Sequence, residues 1–139
     1  MACLELALRE RLKEEIRTGK IKGRRPALRL LLKYAVNNGL VRNNGFSAWQ
    51  NRGEIRSRAR VEMEKFREAS EKTLTEFTID ESDIQITAED LDWDYAKMLP
   101  DLLPMLRNDY AHGSTDLHNW ALRSFQVVSE IINQLWPSA

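Results

Sequence analysis

The chain has 139 residues, 42% apolar and 30% charged, with 21 Lys/Arg against 21 Asp/Glu. That is enough for one domain with its own core, at the composition of an ordinary soluble globular protein, and it excludes a uniformly basic or acidic chain. A lone Cys3 leaves no intrachain disulfide and no paired cysteines for a metal.

No stretch approaches the ~18 apolar residues of a membrane span. Glu5, Arg9, Glu10 and Arg11 break up the apolar N-terminus, so it does not read as a secretory signal and a cytoplasmic location is the default. The neutral total also hides a division. Residues 1–60 carry fifteen Lys/Arg against five Asp/Glu, and residues 61–139 carry six against sixteen. Either the halves fold together and partly cancel, or a basic surface suited to phosphates lies beside an acidic one.

Leu4, Leu8, Leu12 and Ile16 recur every fourth residue among charges, which predicts an amphipathic first helix ending at Gly19. Lys20, Lys22, Arg24 and Arg25 follow in a basic loop whose cations suit phosphate contact, or simple solvation. Pro26 and Gly39 are placed to open and close a second helix with Leu28, Leu31, Leu32, Ala35 and Val36 on its apolar face. Two Asn-Asn-Gly turns, ending at Gly39 and Gly45, bracket a short piece around Leu40 and Val41.

From about Trp49 to Phe77 the positions Ile55, Ala59, Met63, Phe66, Leu74 and Phe77 follow helical spacing. They predict the longest helix, about 40 Å, buried on that stripe. Glu54/Arg58, Arg60/Glu64 and Glu68/Lys72 are opposite charges four apart on the other side. Arg52, Arg56, Arg58 and Arg60 form a second basic cluster, of which Arg56 and Arg60 join the basic loop as candidate nucleic-acid contacts. Residues 78–86 are acidic and without a helical face, and read as an extended connector.

Thr87 is a candidate N-cap before Glu89 and Asp90, followed by a stripe of Leu91, Tyr95, Met98, Leu99, Leu102, Leu103 and Leu106. Pro100 and Pro104 should kink or split this helix. Ser114 or Thr115 can cap a last helix with Leu117, Trp120, Ala121, Phe125, Val128, Ile131, Ile132 and Leu135 buried. The expected fold class is all-α: an antiparallel helical bundle of about five helices in one domain spanning 1–139.

Between the last two apolar segments the chain reads Leu-Arg-Asn-Asp-Tyr-Ala-His-Gly-Ser-Thr-Asp, residues 106–116. On a continuous helix Arg107 and His112 would sit roughly 140° apart around the axis and could not face one ligand. If the helix ends near Tyr110 or Ala111 with Gly113 as its cap, His112 can turn back toward Arg107, and Asn108, four residues before it, can orient the imidazole. Arginine holds two phosphate oxygens, and histidine exchanges protons near neutrality. The plainer alternative is a helix cap in which the histidine and arginine tie down carbonyls.

Arg107-Asn108-Asp109-Tyr110-Ala111-His112-Gly113 resembles the signature of HEPN domains, the higher eukaryote and prokaryote nucleotide-binding family. The likeness covers residues from about Thr87 to Trp136, a motif-bearing helical hairpin beside basic N-terminal helices. It implies a small helical bundle and, in many members, a metal-independent endoribonuclease whose paired Arg/His motifs share a cleft in a homodimer. It further implies Arg107 as phosphate clamp, His112 as proton-transfer residue and Asn108 as positioning residue, with RNA as substrate and an antitoxin or other protein as partner.

The alternative within the family is a non-catalytic dimer that binds a protein or nucleotide. A helical adaptor unrelated to the family is a third reading. No cofactor or metal is expected. His118 and the nearby Asp109 and Asp116 do not reproduce known metal-ligand spacings, and no phosphate-binding Gly-rich loop or Gly-x-Ser-x-Gly occurs.

Overall fold

A computed structural model of the chain describes residues 1–111 and 119–137, of which 109–111 and 119–121 by their backbone alone. The described residues form six α-helices, two 3-10 turns and no strand: α1 (Ala2–Arg11), α2 (Lys13–Arg17), α3 (Leu28–Asn37), α4 (Ser47–Glu71), α5 (Tyr95–Ala111) and α6 (Asn119–Leu135). The chain is therefore all-α among the described residues. It divides into two compact units, one built from 1–46 and 94–139, the other from 47–93.

The first unit is organised by leucines. Leu4, Leu8 and Leu12 have no solvent exposure, and neither do Leu31 and Leu32 of α3 or Leu99 of α5. At about 1.5–3 kcal/mol for each fully buried leucine, this stripe is the main source of cohesion. α3 packs most extensively on α5 and also on α1, and α1 packs on α6. The single first helix expected from the sequence is interrupted at Leu12, although Leu12 N–H still donates to Leu8 C=O and Ile16 N–H to Leu12 C=O.

α3 ends where expected. Gly39 takes φ +69°, and Leu40 N–H and Gly39 N–H donate to Ala35 and Val36 carbonyls, closing the helix in a Schellman turn. It begins two residues later than a start at Pro26 would give, with Ala27 extended and Pro26 buried ahead of it. Between α3 and α5 the unit is closed by three contacts. Asn43 Oδ1 accepts from Ala96 N–H (2.7 Å), Asn43 Nδ2 donates to Asp94 (3.3 Å), and the Phe46 and Tyr95 rings meet edge to face at 5.0 Å.

Thr87 does not cap α5. Its N–H and hydroxyl both donate to Asp90, whose own N–H returns to Thr87 C=O, so these residues close a separate turn. α5 starts at Tyr95, with Asp94 Oδ1 accepting from Lys97 N–H. It runs through Pro100 and Pro104 as one helix rather than splitting. Buried Leu99 and Leu103 anchor both sides of the Pro100 position.

On α6, Val128, Ile131 and Leu135 are buried as expected, but Phe125 is 72% exposed and so departs from the expected face. Arg11 Nε donates to Leu135 C=O, which holds the C-terminal turns of α6 along α1.

The second unit inverts the expected face of its long helix. α4 stops at Glu71, short of Phe77, and its buried positions are Gly53, Ser57, Val61 and Ala69, while Ile55, Met63 and Phe66 are exposed. At about 100° per residue the two sets lie on opposite sides of the helix. The cause is the extended connector, which runs back along the small-residue side. Leu91 lies so close to Gly53 that an added Cβ would come within 2.7 Å of it. Ser57 Oγ donates to Gln85 C=O (2.7 Å), and Trp49 Nε1 donates to Trp93 C=O (2.8 Å). Arg52 stacks over the Trp93 ring at 4.3 Å. Arg58 pairs with Glu81 rather than with Glu54, and Lys65 reaches Asp83.

Candidate functional site

Arg107 lies on the C-terminal part of α5, and its side chain stays 53% exposed. Its Nη1 sits 3.3 Å from Glu5 Oε2 of α1. The other oxygen of the same carboxylate accepts from Arg9 Nη2 at 2.8 Å, and that nitrogen also donates to Pro26 C=O at 2.9 Å. Glu5 and Arg9 are four apart on α1, so one helical turn presents both to α5 and to the end of the basic loop. One carboxylate shared by two guanidiniums leaves the trio of Glu5, Arg9 and Arg107 with a net positive charge. Among the described residues Glu5 is the only group that engages the Arg107 side chain.

Asn108 is exposed next to it. His112, Gly113 and His118 lie outside the described residues, as do Ser114 and Thr115, the expected caps of α6.

The basic loop ends at the same network. Lys20, Lys22, Arg24 and Arg25 are all exposed, and among the described residues none is engaged by a carboxylate. The loop is nonetheless fixed at both ends. Ile21 is 4% exposed and its N–H donates to Glu15 C=O, and buried Pro26 is held by Arg9.

The other two candidate cations belong to the second unit and differ from each other. Arg56 is exposed. Arg60 is committed: Nη2 donates to Gln85 C=O (2.9 Å) and to Asp90 (3.1 Å), and Nη1 lies 3.8 Å from Glu64. Asp90 is buried, and its carboxyl is held down to about 2 by the Thr87 backbone N–H, then by the Arg60 guanidinium and the Thr87 hydroxyl. That pair fastens the connector to α4.

The opposite charges of the two halves of the sequence cancel in part through such contacts, with Arg29 to Asp101 at 2.6 Å in the first unit. Among the described residues no carboxylate engages the cations of the loop at 20–25, and Arg107 shares the one carboxylate it meets with Arg9. Among the described residues no group of three or more His, Cys, Asp or Glu is placed to hold a metal ion, and no helix is long and apolar enough to cross a membrane. Sequence reasoning missed Glu5 and Arg9 as neighbours of Arg107, because charged residues on an amphipathic helix carry no signal of a distant partner.

No protein-family model, curated protein or solved structure matches the chain.

Proposed function

We propose that this chain is a metal-independent endoribonuclease of HEPN type, acting as a homodimer whose two motifs share one cleft, in the manner of a toxin or defence effector. The observation that carries this reading is Arg107: a half-exposed guanidinium held from one side by Glu5, with further donors open to a ligand. Arg107 would clamp the scissile phosphate and stabilise the crowded phosphorane, and Asn108 would position His112, four residues later in the sequence.

One histidine takes the 2′-hydroxyl proton as that oxygen attacks phosphorus. The bond to the 5′-oxygen breaks and the leaving oxygen gains a proton, which gives a 2′,3′-cyclic phosphate and a free 5′-hydroxyl. A two-fold dimer supplies both proton-transfer groups and two arginines.

The test is cleavage of a mixed RNA pool in chelator by wild type, Arg107→Ala and His112→Ala, each verified as folded. The reading expects cyclic-phosphate ends from wild type alone. RNA left intact by wild type across a broad substrate set moves the function to the non-catalytic binding dimer.

A further inference from the structure

The loop of four cations and Arg107 are joined through two side chains of α1. Arg9 Nη2 touches both Pro26 C=O, the residue directly after the loop, and Glu5 Oε1, while Glu5 Oε2 meets Arg107. The loop is not a loose charged tether, because Ile21 and Pro26 pin it. Lys20 and Lys22 flank the buried Ile21 and are exposed, as are Arg24 and Arg25. Of the acidic side chains near it, Glu14 pairs with Arg17 and Glu5 with Arg9 and Arg107, and half-buried Glu15 leaves the four loop cations in excess.

From this arrangement we infer that loop 20–25 and Arg107 form one continuous track for the phosphates of single-stranded RNA, in which the loop holds the strand a few nucleotides from the phosphate at Arg107. The inference rests on the RNA reading above and deepens it. The loop carries cations and no aromatic ring, so it grips backbone without reading bases, and its contribution is independent of sequence. Glu5 serves as the key of the track. It fixes Arg107 relative to the loop and cancels one of the two guanidinium charges, which leaves room for one phosphate rather than a generally sticky surface.

The experiment uses a 2′-O-methyl RNA 12-mer, which lacks the attacking hydroxyl and so reports binding without cleavage. Its affinity is titrated at several salt concentrations for wild type, for Lys20→Ser/Lys22→Ser/Arg24→Ser/Arg25→Ser and for Arg107→Ala. Removing the cation from one phosphate of a single strand should lower the log–log salt slope by about 0.7. The loop variant is expected to lose about 2–3 in slope and at least tenfold in affinity on every sequence tried, and Arg107→Ala about 0.7 in slope.

An unchanged slope in a folded loop variant overturns the track, and if wild type still cleaves, the nuclease reading stands without it. If the slopes fall as expected while wild type cleaves no cleavable RNA, the track stands and the nuclease reading falls. All four loop positions are exposed, so the variant is expected to fold, and its helical circular dichroism and melting temperature verify this.

Discussion

The two oxygens of Glu5 are divided between two arginines, with Oε1 2.8 Å from Arg9 Nη2 and Oε2 3.3 Å from Arg107 Nη1. Arg107 is thus placed by a residue at the other end of the sequence, and the electrostatics of the proposed cleft depend on α1 as much as on α5. Neutralising Glu5 has opposite effects on binding and chemistry. Glu5→Gln removes a negative charge next to a phosphate site, so RNA affinity should hold or rise. It also releases Arg107 from its set position, so turnover should fall by about tenfold or more. Single-turnover kinetics beside a binding titration separate the two, and a parallel loss of both would mean that Glu5 acts only through folding.

Asp90 predicts a pH dependence for the second unit. Its folded carboxyl sits near 2, below its ordinary value of 3.8, mainly through the Thr87 N–H and then Arg60. A depressed carboxyl stabilises the fold fully above the ordinary value, and that stabilisation is lost as pH falls toward 2. Asp90→Asn should therefore lower the melting temperature at pH 7 and flatten its decline between about pH 5 and 2. Thermal melts followed by circular dichroism across that range check it, and parallel declines in both proteins would remove Asp90 as the cause.

The inverted face of α4 makes a paired prediction. Val61 is 5% exposed and Met63 is 60% exposed, although the apolar spacing assigns Met63 to the core. Val61→Ala should cost about 1–2 kcal/mol, and Met63→Ala should stay within about 0.5 kcal/mol. Denaturant unfolding of the two variants tests the orientation of the helix. The reverse order would restore the stripe that the spacing predicts.

Two residues past the end of α4, Thr73 has φ +55°, a left-handed conformation costly for a β-branched residue, while Leu74 N–H donates to Ala69 C=O as in a Schellman turn. Thr73→Gly should raise stability by about 0.5–1 kcal/mol, since relief of strain outweighs the added freedom of the unfolded chain. Thr73→Val keeps the branching and should give no gain. Both are read in the same unfolding assay.

Much of the first unit is legible in the sequence because its core is built from large apolar residues at helical spacing. Leu4, Leu8 and Leu12, the α3 leucines with Gly39 behind them, and Val128, Ile131 and Leu135 all lie where the pattern puts them. The second unit resists for the complementary reason. Its buried side is made of Gly53 and Ser57, whose value is their small size and a hydroxyl for Gln85, and periodicity rewards bulk. Thr87 and Asp90 read as the start of a helix because an N-cap and this closed turn begin with the same residues; only the connector's path back along α4 distinguishes them. At the candidate site Arg107 and the loop cations are visible as residue types, but the Glu5–Arg9 link between them requires the packing of α1 to be known.

The nuclease reading is tested most directly by RNA cleavage in chelator, comparing wild type with His112→Ala and Arg107→Ala as folded proteins at equal concentration. Wild type should give fragments with 2′,3′-cyclic phosphate ends, and each variant should lose at least about a hundredfold in rate, in the range expected for removal of a proton-transfer group or a transition-state cation. Equal cleavage by wild type and His112→Ala, or fragments that form only when a divalent metal is restored, would contradict it.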